Sequence, residues 1–504
     1  MRSLFLSDWL LQHLEKASGE PLNRQLYRLL QTAILTGRLA AGAKLPSSRI
    51  LAKELGLSRN TIVRVYDQLL AEQYVHSSAG SGTYVADTSS DRIEGSRPSP
   101  DAADIKQRQK YLSARGEHLV EKAGVGPQQW GAFMPGVPDV LQFPLKTWNR
   151  IQGRIWSQPR PRLMTYAPAG GYRPLRRALA EYLRVARSVN CSPEQVIITT
   201  GIHQSVDLAV RLLTDANDRI WTEEPCYWGT RSILHSSGLI QVPIRVDEQG
   251  LNPQPYDLEV SPKLILVTPS HQYPLGMVMS LARRRMLLDY ARQNHCWIIE
   301  DDYDSEFRYS SRPLASLQGL DAAGQVIYVG SFSKTLFPGL RVGYLVAPPE
   351  LAQSFASGAA ELYREGQLMQ QAVLSEFIDE GYLNSHIRRM RIVYGERRGL
   401  LIAAIAKHFG ERTPVMGDDA GLHLVMGLPA SDDRQVSAAA AEHGIIVRPL
   451  TNYYNQASVA RPGLLLGYGC VATERIGPTF DRLAMVIKTS LPCSRSARTV
   501  IPGH

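Results

Sequence analysis

The segment GSFSKTLFPGLRVGY sets Lys334 just after an apolar run, VIYVG, with Ser331, Ser333 and Arg341 around it. A lysine held among apolar neighbours at a strand exit loses hydration, which lowers its pKa and favours the neutral amine that forms a Schiff base. Two hydroxyls and a guanidinium beside that amine make a phosphate cradle. Asp301 ends the run WIIED, and Tyr303 follows two residues on. A carboxylate facing a pyridine nitrogen keeps it protonated, so the ring can draw electrons from a substrate, and a neighbouring tyrosine can donate to a ring hydroxyl. In TTGIHQSVDLAV, Gly201, Ile202 and His203 open a helix whose first amides suit a phosphate. TYAPAGGYRPLRRAL adds Tyr166 ahead of a double-glycine loop. Singly, each has a plainer explanation: a lysine after a strand is commonly a surface residue, DDYD is an acidic loop, and a glycine before a helix is a turn. Together they point to pyridoxal phosphate (PLP), with Lys334, Asp301 and Tyr303 as the reactive set.

The elements that must position these residues are legible as a rhythm. Short apolar runs at 196–199, 264–268, 296–303, 326–330 and 342–347 are separated by helical or Gly/Pro-rich stretches. That spacing predicts an α/β domain built on a mostly parallel sheet. From Gly381 onward, helix signals and short strands predict a smaller α+β lobe.

A different chemistry occupies the N-terminal part. After Pro21, apolar residues recur at helical spacing from Leu22 to Ile34, and Ser47 and Ser58 each stand where a serine caps a helix, with Gly56 between them. YVHSSAGSGTYV then reads as a hairpin around a Gly/Ser turn. Helix, helix, turn, helix and hairpin make a winged helix-turn-helix, whose third helix presents Arg59, Asn60, Thr61 and Arg64 to base edges. Arg49 and Lys53 are placed to grip backbone phosphates, and a wing carrying Gly80 to approach the duplex closely. A three-helix structural module with a solvated charged face is the bland alternative. Of the formal net charge of +9, only +3 lies in residues 1–87, yet 49–64 carry four basic residues against one acidic. The cluster, more than the total, points to double-stranded DNA.

The expected organisation is a DNA-binding domain over 1–87, a Ser/Pro/Asp-rich linker over 88–118, an effector domain over 119–491 and a tail over 492–504. The five cysteines, Cys191, Cys226, Cys296, Cys470 and Cys493, are scattered without CxxC spacing, so neither a disulfide framework nor a metal knuckle is expected. No apolar run approaches the ~18 residues that span a bilayer. A cytoplasmic, reduced protein without a membrane partner is the expectation.

KLPSSRILAKELGLSRNTIVRVYDQLLAEQYVHSSAGSGTYV resembles the GntR-type winged helix-turn-helix signature. The resemblance implies DNA contacts from Arg49, Arg59, Asn60, Thr61 and Gly80, with Ser58 capping the reading helix. TYAPAGGYRPLR, TTGIHQ, PSHQYPLG, EDDYDSEF and SFSKTLFPGLRVGY resemble, in order, the motifs of fold-type I aminotransferases. By motif, Lys334 is the Schiff-base lysine, Asp301 the pyridinium partner and Tyr303 the ring-hydroxyl contact. Gly201, Ile202, His203, Ser331, Ser333 and Arg341 match the phosphate cradle, and Tyr227 in EEPCYWG matches the residue that stacks on the ring. Tyr166 matches a tyrosine that reaches the phosphate bound by a partner subunit. Jointly the two halves resemble the MocR subgroup of GntR-type regulators, which implies a PLP-carrying transcription factor, usually a domain-swapped homodimer, sensing a small amine, an amino acid or PLP itself. Two departures stand out. Tyr273, preceded by His271 and Gln272, replaces the aminotransferase asparagine, and GLLLGYG lacks the late carboxylate-binding arginine. Arg448 in IIVRPL is the nearest substitute, and with His271 and Tyr273 it forms the expected effector set. Full transamination further requires a proton shuttle and product release. The alternatives are therefore an aminotransferase with an accessory DNA-binding module and a sensor of PLP alone.

Overall fold

The computed structural model describes residues 3–15, 19–78, 82–87, 112–121, 126, 129–309, 315–364, 366–417, 419–429 and 432–490. The chain divides into two compact units, Met1–Leu112 and Ser113–His504.

The first unit contains α1 (Ser3–His13), α2 (Leu22–Leu35), α3 (Ser48–Leu55), α4 (Arg59–Ala71) and an antiparallel hairpin of β1 (Val75–Ser78) and β2 (Gly82–Val85). Ser47 Oγ accepts the Ile50 N–H at 3.3 Å and Ser58 Oγ the Thr61 N–H at 3.1 Å, so each serine satisfies an amide that its helix leaves open. Gly56 closes α3 at φ 65°, a left-handed turn that costs glycine little. Leu26, Leu30, Leu51, Ile62 and Leu69 are buried together, so the amphipathic stripes read from the sequence converge on one core. α1 was not anticipated. Asp8 interrupts its apolar run, but Asp8 faces solvent while Leu6, Leu10 and Leu14 join the core, and Ser7 donates to Glu54 at 2.5 Å.

In the second unit, α5 (Ala114–Glu121) lies at the end of the range expected as linker and packs against α9 (Trp228–Ser236). The large sheet comprises β3 (Val196–Thr199), β4 (Arg219–Glu224), β5 (Ile240–Asp247), β6 (Gly250–Leu251), β7 (Leu264–Val267), β8 (Trp297–Asp302), β9 (Val326–Ser331) and β10 (Gly343–Val346), ordered β3-β10-β9-β8-β7-β4-β5-β6. Strands β9-β8-β7-β4-β5 are parallel, whereas β10 runs antiparallel to both neighbours. Helices cover both faces, so the inner strands read as unbroken apolar runs. On one face α8 (Ile202–Leu213) and α12 (Ala352–Tyr363) bury Ile197 and Leu345; on the other, α7 (Arg173–Arg187) and α13 (Leu368–Asp379) bury Ile198 and Tyr344.

The smaller lobe, expected from Gly381 onward, contains α14 (Tyr382–Phe409), α15 (Asp433–Glu442), α16 (Ile476–Ser490) and an antiparallel sheet of β11 (Val415–Met416), β12 (His423–Gly427), β14 (Gly463–Gly467) and β13 (Arg448–Pro449). It also recruits an earlier segment: Ala132 bridges Ile445, and Gly467 N–H donates to Phe133 O at 2.8 Å. No described helix is long and apolar enough to cross a membrane.

Candidate functional site

In the first unit, α4 presents its opening turn outward. Ser58, Arg59, Asn60 and Arg64 are exposed and Thr61 is half-exposed, while Ile62, Val65 and Leu69 of the same helix are buried. Ser58, Asn60, Thr61 and Arg64 line one concavity with Leu22 and Asn23 from the start of α2. Arg49 and Lys53 stand exposed on α3. The α4 N-terminus, with the amides that Ser58 leaves open, and the exposed cations Arg49, Lys53, Arg59 and Arg64 form an anion-attracting face. Gly80 lies outside the described residues.

In the second unit, a site forms where β8, β9 and the start of α8 end together. Its walls are Tyr227, Tyr273, Tyr303, His203, Ser331, Ser333 and Lys334, all only half-buried although their chain neighbours are largely buried. Such a ring of part-exposed side chains in a buried setting is a cleft. Lys334 Nζ donates to Gly136 O at 2.6 Å. Burial pushes this amine below the ordinary lysine range, opposed by the carboxylates of Asp304 and Asp301. Asp301 is 7% exposed, and its carboxylate accepts no hydrogen bond from any described residue. Burial, reinforced by Asp302, Asp304 and Glu223, pushes its carboxyl up to about 8, while Lys334 pulls the other way.

The anion end is assembled from three chain segments. Gly201 caps α8, leaving the Ile202 and His203 amides in its first turn. Ser331 Oγ donates to Ser333 Oγ at 2.9 Å and accepts the Ser333 N–H at 3.1 Å. Arg341 is placed so that a Cβ on Gly201 would stand 3.9 Å from its guanidinium. His203 Nε2 meets Tyr227 Oη at 3.1 Å, and burial followed by Arg341 holds this imidazole below its usual pKa, hence neutral.

Opposite lies an aromatic wall. The Tyr273 ring stands edge-on to Tyr227, Tyr303 and Tyr453 at centroid distances of 5.7, 5.5 and 5.5 Å, and its hydroxyl lies 3.3 Å from that of Tyr453. Arg448 acts electrostatically on the Tyr273 and Tyr453 hydroxyls, so it stands at the rim of this wall. His271 turns inward: its Nδ1 lies 2.9 Å from Tyr303 Oη and 2.9 Å from Asp304 Oδ1. Tyr166 stands apart, 82% exposed. Sequence reasoning passed over Gly136, Asp304, His423 and Tyr453. The DDYD string held a signal for Asp304; Gly136 and His423 are brought in only by the fold.

The residues fit PLP. A desolvated amine, a buried carboxylate lacking a donor and a three-segment anion cradle correspond to its aldehyde, pyridine nitrogen and phosphate. A winged helix-turn-helix and an aminotransferase-like effector unit in one chain define a PLP-binding transcriptional regulator. Residues 151–461 match the family of class I and II aminotransferases, and residues 22–85 the gntR family of bacterial regulatory proteins. The chain is 40% identical over 491 residues to the probable rhizopine catabolism regulatory protein MocR of Rhizobium meliloti, covering 96% of this chain and 98% of that one. It is 32% identical over 452 residues to the pyridoxine biosynthesis transcriptional regulator PdxR of Corynebacterium glutamicum, covering 89% and 91%. Among solved structures, an archaeal alanine:glyoxylate aminotransferase matches with TM-score 0.67 and 26% identity over 77% of this chain and 95% of that one. A Pyrococcus horikoshii kynurenine aminotransferase shares the fold at TM-score 0.69 and 23% identity, covering 77% and 99%. The chain belongs to the MocR-type helix-turn-helix transcriptional regulators, in which a gntR-family module precedes a class I and II aminotransferase domain.

Proposed function

We propose that this regulator senses a small primary amine or amino acid through PLP held at Lys334, and that occupancy of that site changes its affinity for operator DNA. The observation that supports the reading is the meeting of a desolvated Lys334 amine and a buried Asp301 carboxylate without a donor at the carboxyl ends of the inner strands β8 and β9. PLP, when bound, supplies an aldehyde that condenses with primary amines. Lys334 offers the neutral amine, Asp301 holds a proton at the ring nitrogen, Tyr303 donates to the ring hydroxyl, and Tyr227 covers the ring. Gly201, Ile202, His203, Ser331, Ser333 and Arg341 hold the phosphate. Arg448 at the rim suits an effector carboxylate, and Tyr273 closes the wall beside it. An effector acts only through its differential affinity for two states, typically ~1–3 kcal/mol of coupling. The name of the R. meliloti relative, a probable rhizopine catabolism regulatory protein, favours a small molecule of catabolism as the effector.

On the DNA side, Arg59, Asn60, Thr61 and Arg64 read bases while Arg49 and the wing around Gly80 position the duplex. Homodimerisation is part of the reading. Leu141, Leu145, Trp156, Met164 and Tyr166 are 85, 58, 57, 67 and 82% exposed, an apolar density suited to burial against a second copy.

The test is to reduce the PLP-loaded protein with borohydride, map the modified lysine, and measure operator affinity with PLP alone and with added amines. Modification at Lys334 and an amine-dependent change of affinity support the reading. A different modified lysine overturns the site, and a response to PLP alone overturns the amine effector.

A further inference from the structure

The contact between His271 and Asp304 constrains more than those two residues. A carboxylate oxygen only accepts hydrogen bonds, so the 2.9 Å approach of Asp304 Oδ1 places the proton on His271 Nδ1. Tyr303 Oη lies 2.9 Å from that same nitrogen. Because a protonated Nδ1 has no lone pair left to accept, its one proton is shared between Asp304 Oδ1 and the phenol oxygen, which accepts, and the phenol's own proton is left to point elsewhere.

The pair is built to hold this arrangement. His271 and Asp304 are 2% and 1% exposed. His271 Nε2 has no partner among the described residues, so every polar contact fixing the ring is at Nδ1. Two glycines wall the imidazole in: a Cβ on Gly421, at φ +78°, would stand 2.2 Å from His271 Cε1 and 2.5 Å from Asp304 Oδ2, and one on Gly276 would stand 3.1 Å from Nε2. Gly421 is itself pinned, its carbonyl accepting from Tyr309 at 2.5 Å and Tyr468 at 2.8 Å.

We propose that His271 and Asp304 are positioning residues that fix Tyr303 as a hydrogen-bond donor toward the PLP ring hydroxyl. This gives His271 a role behind Tyr303 in place of direct effector contact, and it rests on the reading that PLP occupies the cleft. Asp301, Glu223, Tyr273, His423 and Lys334 are the other titratable groups around this cluster.

The experiment compares Asp304→Asn, Tyr303→Phe and the double variant, each loaded with PLP. Its readout is the pH midpoint at which the visible absorbance of the bound cofactor changes. Asp304→Asn is expected to move the midpoint by about half a unit or more in the same direction as Tyr303→Phe, with the double variant no further displaced than Tyr303→Phe. An unmoved midpoint in Asp304→Asn, or additive shifts, overturns the proposal. Independently of any variant, nitrogen-15 NMR of the cofactor-free wild-type protein is expected to show a protonated His271 Nδ1, and an unprotonated Nδ1 overturns it. Failure of the wild-type protein to bind PLP removes the cofactor reading instead and leaves the NMR result standing.

Discussion

Lys334 Nζ lies 2.6 Å from the carbonyl oxygen of Gly136, a residue 198 positions earlier in the chain. Gly136 sits at φ +74°, and a Cβ there would stand 2.7 Å from the lysine nitrogen. Position 136 therefore needs glycine for its backbone and for the space above it.

Gly136→Ala is expected to displace the Lys334 amine and weaken PLP retention. A left-handed alanine costs ~1 kcal/mol in the folded protein with or without PLP and so lowers stability rather than affinity, whereas moving the amine away from its place beside Gly136 should raise the apparent Kd for PLP. Absorbance titration of the refolded apoprotein checks this; an unchanged Kd would show that the amine finds its place without Gly136.

Asp301 provides a pH test of the cofactor-free protein. Its folded pKa of about 8 stands above the ordinary aspartate value, so the folded state binds its proton more tightly than the unfolded state does. The associated stability is fully present below the unfolded pKa and is lost as pH rises through the folded one. Asp301→Asn cannot titrate, so its melting temperature relative to wild type should climb between pH 5 and pH 8, a range set by that shift. A constant offset across the range would contradict the assigned burial.

Arg187 and Asp302 form a buried pair, 3% and 1% exposed at the side chain, with Arg187 Nε donating to Asp302 Oδ2 at 2.6 Å. Tyr328 donates to the same oxygen at 2.5 Å, and Ser270 accepts from Arg187 Nη2 at 2.6 Å. Arg187→Met strands the carboxylate and should cost the effector unit ~3–5 kcal/mol, with Arg187→Met/Asp302→Asn recovering part of it. Urea midpoints of the second unit's transition report both.

For DNA, Arg59→Ala should lower affinity for an operator fragment by about tenfold or more at matched salt, the range for a lost base or phosphate contact. A salt titration separates the two cases, since losing a phosphate contact lowers the slope by about one and losing a base contact does not. Gel-shift affinity equal to wild type would displace α4 as the reader.

Elements whose local signal agreed with their burial were readable. β3, β7, β9 and β10 were legible because burial on both faces makes their sequences almost continuously apolar, and β8 because the apolar start Trp297–Ile299 precedes its acidic end. β4 and β5 were missed because RIWTEE and IQVPIRVD carry charges and a proline, whose partners come from elsewhere: Glu224 accepts from the backbone of Asn455 and Gln456 at 2.7 and 2.8 Å. Lys334, Asp301 and Tyr303 could be picked out because chemistry demands their types near strand ends. Asp304 stood in the DDYD string but its partner His271 did not, and Gly136 carried no local signal for its contact with Lys334, because only tertiary folding brings these pairs together.

β10 is the one inner strand that reverses direction, and Gly343 at its start pairs with Thr199 of β3 on one side and Ser331 of β9 on the other. The three segments of the anion cradle are thereby indexed to a single residue. Sliding β10 by one position would carry Arg341 about 3.3 Å along the sheet and turn its following side chains to the opposite face. Alignment of the candidate anion cradle is thus a property of strand register: the pairings that seat β10 between β3 and β9 also set where Arg341 stands.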